Sequence, residues 1–141
     1  MTDHPTPREV FERFAAAGVS GDVTSQADLY TEDGVLEFPL VADPVPHRFQ
    51  GRAAIRRTLQ ALRDHVTDSG TVVDPAATRV TLHDTTDPRV LVAEIALAIT
   101  LPTPTVAHYV QVFTVEAGLI RNMRDYFGPH QIDFVTRALR D

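Results

Sequence analysis

The 141-residue chain contains no cysteine, which removes both disulfides and thiolate metal ligands from consideration. Its six histidines stand at positions 4, 47, 65, 83, 108 and 130. None forms a His-x-x-x-His pair, so a metal site is not expected. No apolar run approaches the roughly 18 residues that a membrane-crossing helix requires. Nor does any cluster of basic residues offset the formal net charge of −6, which argues against nucleic acid or an anionic membrane as a partner. The N-terminus is polar, and a soluble cytoplasmic protein is the default expectation. What the chain does have is a hydrophobic content of 43%. With no repeat or linker in view, residues 1–141 read as one domain able to bury roughly 70% of its unfolded surface.

Thr6-Pro7-Arg8-Glu9 carries a capping box with proline in the first turn, so a helix starts there. Val10, Phe11, Phe14 and Ala15 form its apolar stripe, and Gly18 predicts a stop near Ala17. Gly21-Asp22 opens a second, short helix. Asp33-Gly34 signals a turn before a strand, Val35 to Phe38, that Pro39 ends. Residues 39–50 hold Pro39, Pro44 and Pro46 and read as a long irregular connection. The clearest helix follows Gly51-Arg52, with Ile55, Leu59, Leu62 and Val66 on one side and arginines on a solvated face. After Ser69-Gly70 the period changes to two. Strands are predicted over 71–83, 89–101, 106–116 and 119–127, joined by short turns as an antiparallel meander. Pro129 starts a last helix bearing Ile132, Val135 and Leu139. The class is α+β: a strongly curved antiparallel sheet with helices on its concave face, forming a cone with a pocket at its open end.

Two carboxylates stand out. Strict alternation along 119–127 puts Leu119, Arg121, Met123, Asp125 and Phe127 on one face. A carboxyl group between Met123 and Phe127 is costly to ionise and suited to proton transfer; the plainer reading pairs it with Arg121, Arg124 or a turn. Glu94 lies in Val90 to Ile99, otherwise uncharged, a run expected to be covered on both faces. There it would be protonated, paired or facing a cavity, and with Asp125 it would form an acid and a base of separated pKa values. An edge-strand glutamate in water, or one paired across a subunit contact, is the alternative. His108, near the Pro102-Pro104 turn, and His47, in the long loop, are further polar candidates. Alternation puts His108, Val110 and Val112 on one face of their strand and Tyr109, Gln111 and Phe113 on the other.

The chain resembles the nuclear-transport-factor-2-like cone from Val10 to about Leu139. The resemblance rests on the first helix with Gly21-Asp22, on Leu29-Tyr30-Thr31-Glu32-Asp33-Gly34, on Gly51-Arg52-Ala53-Ala54-Ile55, and on Arg124-Asp125-Tyr126-Phe127-Gly128-Pro129. That superfamily hosts isomerases, cyclases, epoxide hydrolases and binding proteins. The positions that carry ketosteroid isomerase chemistry correspond here to Phe14, Phe38 and Val110, all apolar. Limonene-epoxide hydrolases are similar at the last strand, but their Arg-x-Asp corresponds to Glu94 and Ala96. SnoaL-like polyketide cyclases have their acid/base aspartate at the Asp125 position. Phenazine-biosynthesis A/B proteins are similar at Glu94, His108-Tyr109, Asp125 and the Gly128-Pro129 turn, while their helix histidine falls near Thr58.

What the resemblance implies is a SnoaL-like or phenazine A/B-like enzyme acting on a small apolar metabolite by isomerisation, cyclisation or condensation, without a cofactor. Asp125 would be the acid/base and Glu94 its partner, with His108 and His47 as orienting donors, and Tyr109 as well if the faces of its strand are inverted. Phe14, Phe38, Val110, Met123 and Phe127 would form a dry wall. The alternatives are a binding protein with the same cone, and epoxide opening. A homodimer is expected through the open sheet face, with Tyr109, Phe113 and Tyr126 on it.

Overall fold

The computed structural model describes residues 3–140, apart from the side chain of His130; the two N-terminal residues and Asp141 of the expected 1–141 domain lie outside the described residues. Four helices and seven strands follow one another as α1 (Pro7–Ser20), α2 (Val23–Asp28), β1 (Tyr30–Glu37), β2 (Arg48–Gln50), α3 (Arg52–Asp68), β3 (Val72–Val73), β4 (Arg79–Asp84), β5 (Val90–Leu101), β6 (Thr105–Glu116), β7 (Leu119–Phe127) and α4 (Pro129–Leu139).

Thr6 and Glu9 form the expected capping box at the start of α1. The helix does not stop at Ala17, however. Gly18 stays helical, and its missing side chain makes room for Gln26 of α2, whose Nε2 would lie 3.0 Å from a β-carbon there. The terminator is Gly21, whose φ of 74° lets its N–H reach the Ala17 and Gly18 carbonyls. Residues 39–50 are less irregular than expected, since β2 pairs antiparallel with β1. Arg52, at the first turn of α3, donates from Nε and Nη2 to the Tyr30 carbonyl at 3.2 and 2.6 Å, tying the long helix to β1. The predicted 71–83 strand is two strands. Asp74 interrupts it, its carboxylate accepting from the Ala76 N–H and its carbonyl from the Thr78 hydroxyl.

The strands form one curled, unclosed sheet in the order β2-β1-β7-β6-β5-β3, with β4 also on β5. It is antiparallel except where β1 runs parallel to β7. The β6–β7 hairpin turns on Ala117 and Gly118, both at positive φ (50° and 78°), as a two-residue type I′ connection demands. Just beyond it, Glu116 pairs with Leu119 and Val115 with Ile120, but Thr114 pairs with Asn122. Arg121 is therefore an extra residue, a β-bulge. It turns Ile120 into the core and leaves Arg121 exposed, and it reverses the alternation from that point. Arg121 and Asp125 consequently face opposite sides, contrary to expectation.

The core lies between the concave face and the helices. Phe11 and Phe14 of α1 meet Phe113 of β6 edge-to-face at 5.5 and 5.6 Å between ring centroids, and Phe14 also meets Tyr30. Phe113, Leu36, Ile55, Leu91 and Ile120 are almost fully buried, each such side chain contributing about 1.5–3 kcal/mol of transfer free energy. Between this core and the open end of the cone the helices do not close on the sheet.

Candidate functional site

A cavity of about 820 Å³ opens there, walled by α1, α3, α4 and the concave faces of β1 and β5 to β7. Its wall is mainly apolar, including Phe14, Leu36, Phe38, Met123 and Phe127. In its inner part lies Asp125, only 5% exposed. Directly across the ladder Gln111 pairs with it in register, and Gln111 Nε2 donates to Asp125 Oδ2 at 2.9 Å. Asp125 Oδ1 has no hydrogen-bond partner among the described residues.

That environment decides the protonation of the carboxyl. Burial disfavours its anion and raises its pKa from the ordinary carboxylate range to about 7, against a smaller downward pull from the Gln111 amide. No cation pairs with it among the described residues; Arg124, its chain neighbour, faces the other side and donates to the Tyr126 hydroxyl at 3.1 Å. Near neutrality Asp125 is therefore divided between acid and base, which is the condition for moving protons in either direction. Two phenols share this region. Tyr109 lines the cavity, and Tyr30 is fully buried with its hydroxyl unpartnered among the described residues. The pKa of each is raised, first by burial and then by the charge of Asp125. Both remain neutral donors.

Phe14, Phe38, Met123 and Phe127 form the wall as expected. Four other expected site residues do not. Glu94 lies on the convex face, with its side chain 58% exposed and bonded to His83 Nε2 at 2.5 Å. His108 is exposed on the same face, and Val110 stands between Glu94 and Tyr126 in the ladder. These three border a small separate cleft of about 260 Å³. His47 stays in its loop, bonded to Asp43 Oδ1 at 2.9 Å, and does not line the cavity. Tyr109 and Phe113 are turned inward, so only Tyr126 of the three aromatic residues expected outside is there. Ala96 is convex like Glu94, so nothing of the epoxide-hydrolase pattern on this strand reaches the cavity. Thr58 spends its hydroxyl on the Ala54 carbonyl of its own helix, at 3.0 Å.

One residue explains most of these differences. Counted from the hairpin without a bulge, Asp125 would oppose Val110, and Val110 opposes Glu94 in the next ladder. The extra residue at Arg121 moves Asp125 opposite Gln111 instead. Gln111, missed in the sequence, is thereby brought to the acid, and Val110, His108 and Glu94 are sent outside together.

A family model described as the SnoaL-like domain matches residues 11–123. The chain belongs to the SnoaL-like domain family. Asp125 lies two residues beyond the matched span, on the same strand as its end. Among relatives of this SnoaL-like chain, the Bacillus subtilis protein YesE, itself uncharacterized, is 27% identical over 133 residues, which is 92% of this chain and 86% of YesE. A solved structure named "Putative Isomerase from Bacillus subtilis" superposes with a TM-score of 0.69 at 25% identity, covering 86% of each chain. A "putative polyketide cyclase" from Pseudomonas putida superposes at 0.65 with 18% identity, covering 89% of this chain and 94% of its own. The SnoaL-like, nuclear-transport-factor-2-like architecture is thus shared.

Proposed function

We propose that this SnoaL-like protein is an enzyme of cofactor-independent acid/base chemistry, an isomerase or cyclase acting on a cyclic, mostly apolar metabolite bound in the cone. The observation that carries the reading is the buried Asp125, one oxygen held by Gln111 and the other without a partner among the described residues. Oδ1 takes a proton from a carbon beside a carbonyl and returns it at a second position or to an oxygen. Gln111 keeps the carboxyl from rotating, and the Tyr109 hydroxyl donates to the developing enolate oxygen. Phe14, Phe38, Met123 and Phe127 keep the site dry, which strengthens each of these interactions.

The test needs no knowledge of the natural substrate. Cyclic ketones and enones that bind the protein are incubated with it in D2O, and exchange of their α-hydrogens is followed by NMR. The wild type accelerates exchange, and Asp125→Asn retains binding but loses the acceleration. Equal exchange by the variant, or none by the wild type on any bound ketone, favours the second reading, a binding protein without turnover. The apolar residues at the isomerase positions Phe14 and Phe38 are the observation that supports that reading.

The same proposal includes a homodimer through the convex face. Val92, Ala96, Ala98, Val110 and Val112 are half-exposed on it, interleaved with Glu94 and His108, and Val106 is 52% exposed beside them. Sedimentation of wild type and Val110→Lys would separate a dimer from a monomer.

A further inference from the structure

The two ends of the cavity differ in character. Its inner end is lined by buried residues around Asp125, and its mouth by exposed ones such as Arg63, Ser69, Thr103 and Thr105. Among the described lining residues Asp125 is the one acid and Arg63 the one base. The chemistry of the cavity is therefore polarised along its length.

Arg63 packs at the mouth against a specific backbone feature. It projects from α3 over the α1–α2 turn, where a β-carbon on Gly21 would meet its Nη2 at 2.8 Å and its Cζ at 2.9 Å. The guanidinium rests flat against a position that only glycine leaves empty. Of the thirteen arginines, four have a carboxylate within 4.0 Å among the described residues: Arg8, Arg89, Arg121 and Arg137. Arg63 has none among the described residues. A guanidinium presents a planar fork of donors that matches a carboxylate with two parallel hydrogen bonds. In a chain of net charge −6, a free cation at the rim of an apolar cavity is also the local attractor for an incoming anion.

We propose that the ligand is an amphiphilic carboxylate, its apolar ring system in the cone and its carboxylate on Arg63 at the mouth. This deepens the reading of the cavity as a proton-transfer site: the reacting carbon lies at the Asp125 end, and the anion lies at the opposite end. An anion beside Asp125 would be desolvated and repelled by the aspartate once ionised, so the polarity of the cavity fixes which way round the ligand enters. Arg63 is a binding and orienting residue in this scheme and takes no part in the proton transfer.

The experiment compares two probes that differ in charge and little in shape, 2-naphthoate and methyl 2-naphthoate, titrated calorimetrically at low salt into wild type, Arg63→Gln, Arg63→Lys and Asp125→Asn. Wild type binds the anion roughly five- to tenfold more tightly than the ester, as expected for a charge-assisted, paired contact. Arg63→Gln brings the two affinities to within about twofold by weakening the anion alone, and Arg63→Lys keeps part of the preference because it retains charge without the fork. Asp125→Asn leaves the preference intact. A preference that survives in Arg63→Gln, one that disappears in Asp125→Asn instead, or a wild type that binds neither probe or prefers the ester overturns the proposal. None of these readings depends on turnover, so the proposal and the D2O exchange experiment fail separately.

Discussion

Gln111 and Asp125 face each other across the β6–β7 ladder and are joined by one hydrogen bond of 2.9 Å, from the amide Nε2 to the carboxyl Oδ2. The amide pulls the carboxyl toward its ionised form, against the burial that raises its pKa. Replacing Gln111 by Met keeps the volume and removes that donor. The Asp125 pKa then moves further up, and the pH dependence of α-hydrogen exchange moves up with it. Loss of a buried bond of this type also costs about 1–2 kcal/mol of stability, measured by urea unfolding.

The raised pKa of Asp125, about 7 in the folded protein against roughly 3.9 in an unfolded chain, couples folding to pH. Between these values the folded state holds the extra proton, so stability falls as pH rises through that window and levels off above it. A shift of about three units corresponds to at most about 4 kcal/mol. Asp125→Asn removes the titrating group and with it this slope. Urea midpoints compared at about pH 5 and about pH 8.5 should therefore diverge for the wild type and stay closer together for the variant.

Ala117 holds a φ of 50° in the hairpin turn, a left-handed conformation that costs an alanine roughly 1 kcal/mol. Asparagine tolerates it better, so Ala117→Asn raises stability by about 0.5–1 kcal/mol, read as a higher thermal midpoint. Gly118→Ala goes the other way. Its φ is 78°, and the added carbon would lie 2.6 Å from Pro5 Cδ.

Glu94 and Asp125 are not the acid–base pair that the sequence invites, because they lie on opposite faces of the sheet. Glu94→Gln should leave α-hydrogen exchange unchanged. Its stability effect should stay within about 1 kcal/mol, as for an exposed polar pair, here the hydrogen-bonded one with His83. Exchange kinetics on this variant beside Asp125→Asn make the contrast.

Much of this was legible beforehand. The capping box at Thr6, the stripe of α3, the period-two strands and the Ala117-Gly118 turn are local signals, and the structure follows them. Asp125 inside an apolar wall followed from its neighbours Met123 and Phe127. What local pattern did not reveal was the bulge at Arg121. A single inserted residue leaves no mark in composition, yet it decides which residue of β6 opposes Asp125. Gln111 was therefore passed over, while Glu94 was put in the cavity because its run is otherwise uncharged, and His108 because it stands near the Pro102-Pro104 turn. The length of α1 was missed for a related reason: Gly18 serves close packing against Gln26, and Gly21 carries the left-handed turn.

Asp125 sits in a desolvated cavity with a proton affinity suited to transfer near neutral pH. A carbon-13 NMR titration of the aspartate carboxyls, assigned by comparison with Asp125→Asn, measures this directly. One resonance, absent from the variant, is expected to titrate near pH 7. If that resonance instead titrates near the ordinary value of about 3.9, the carboxyl is solvated and the acid/base reading is wrong.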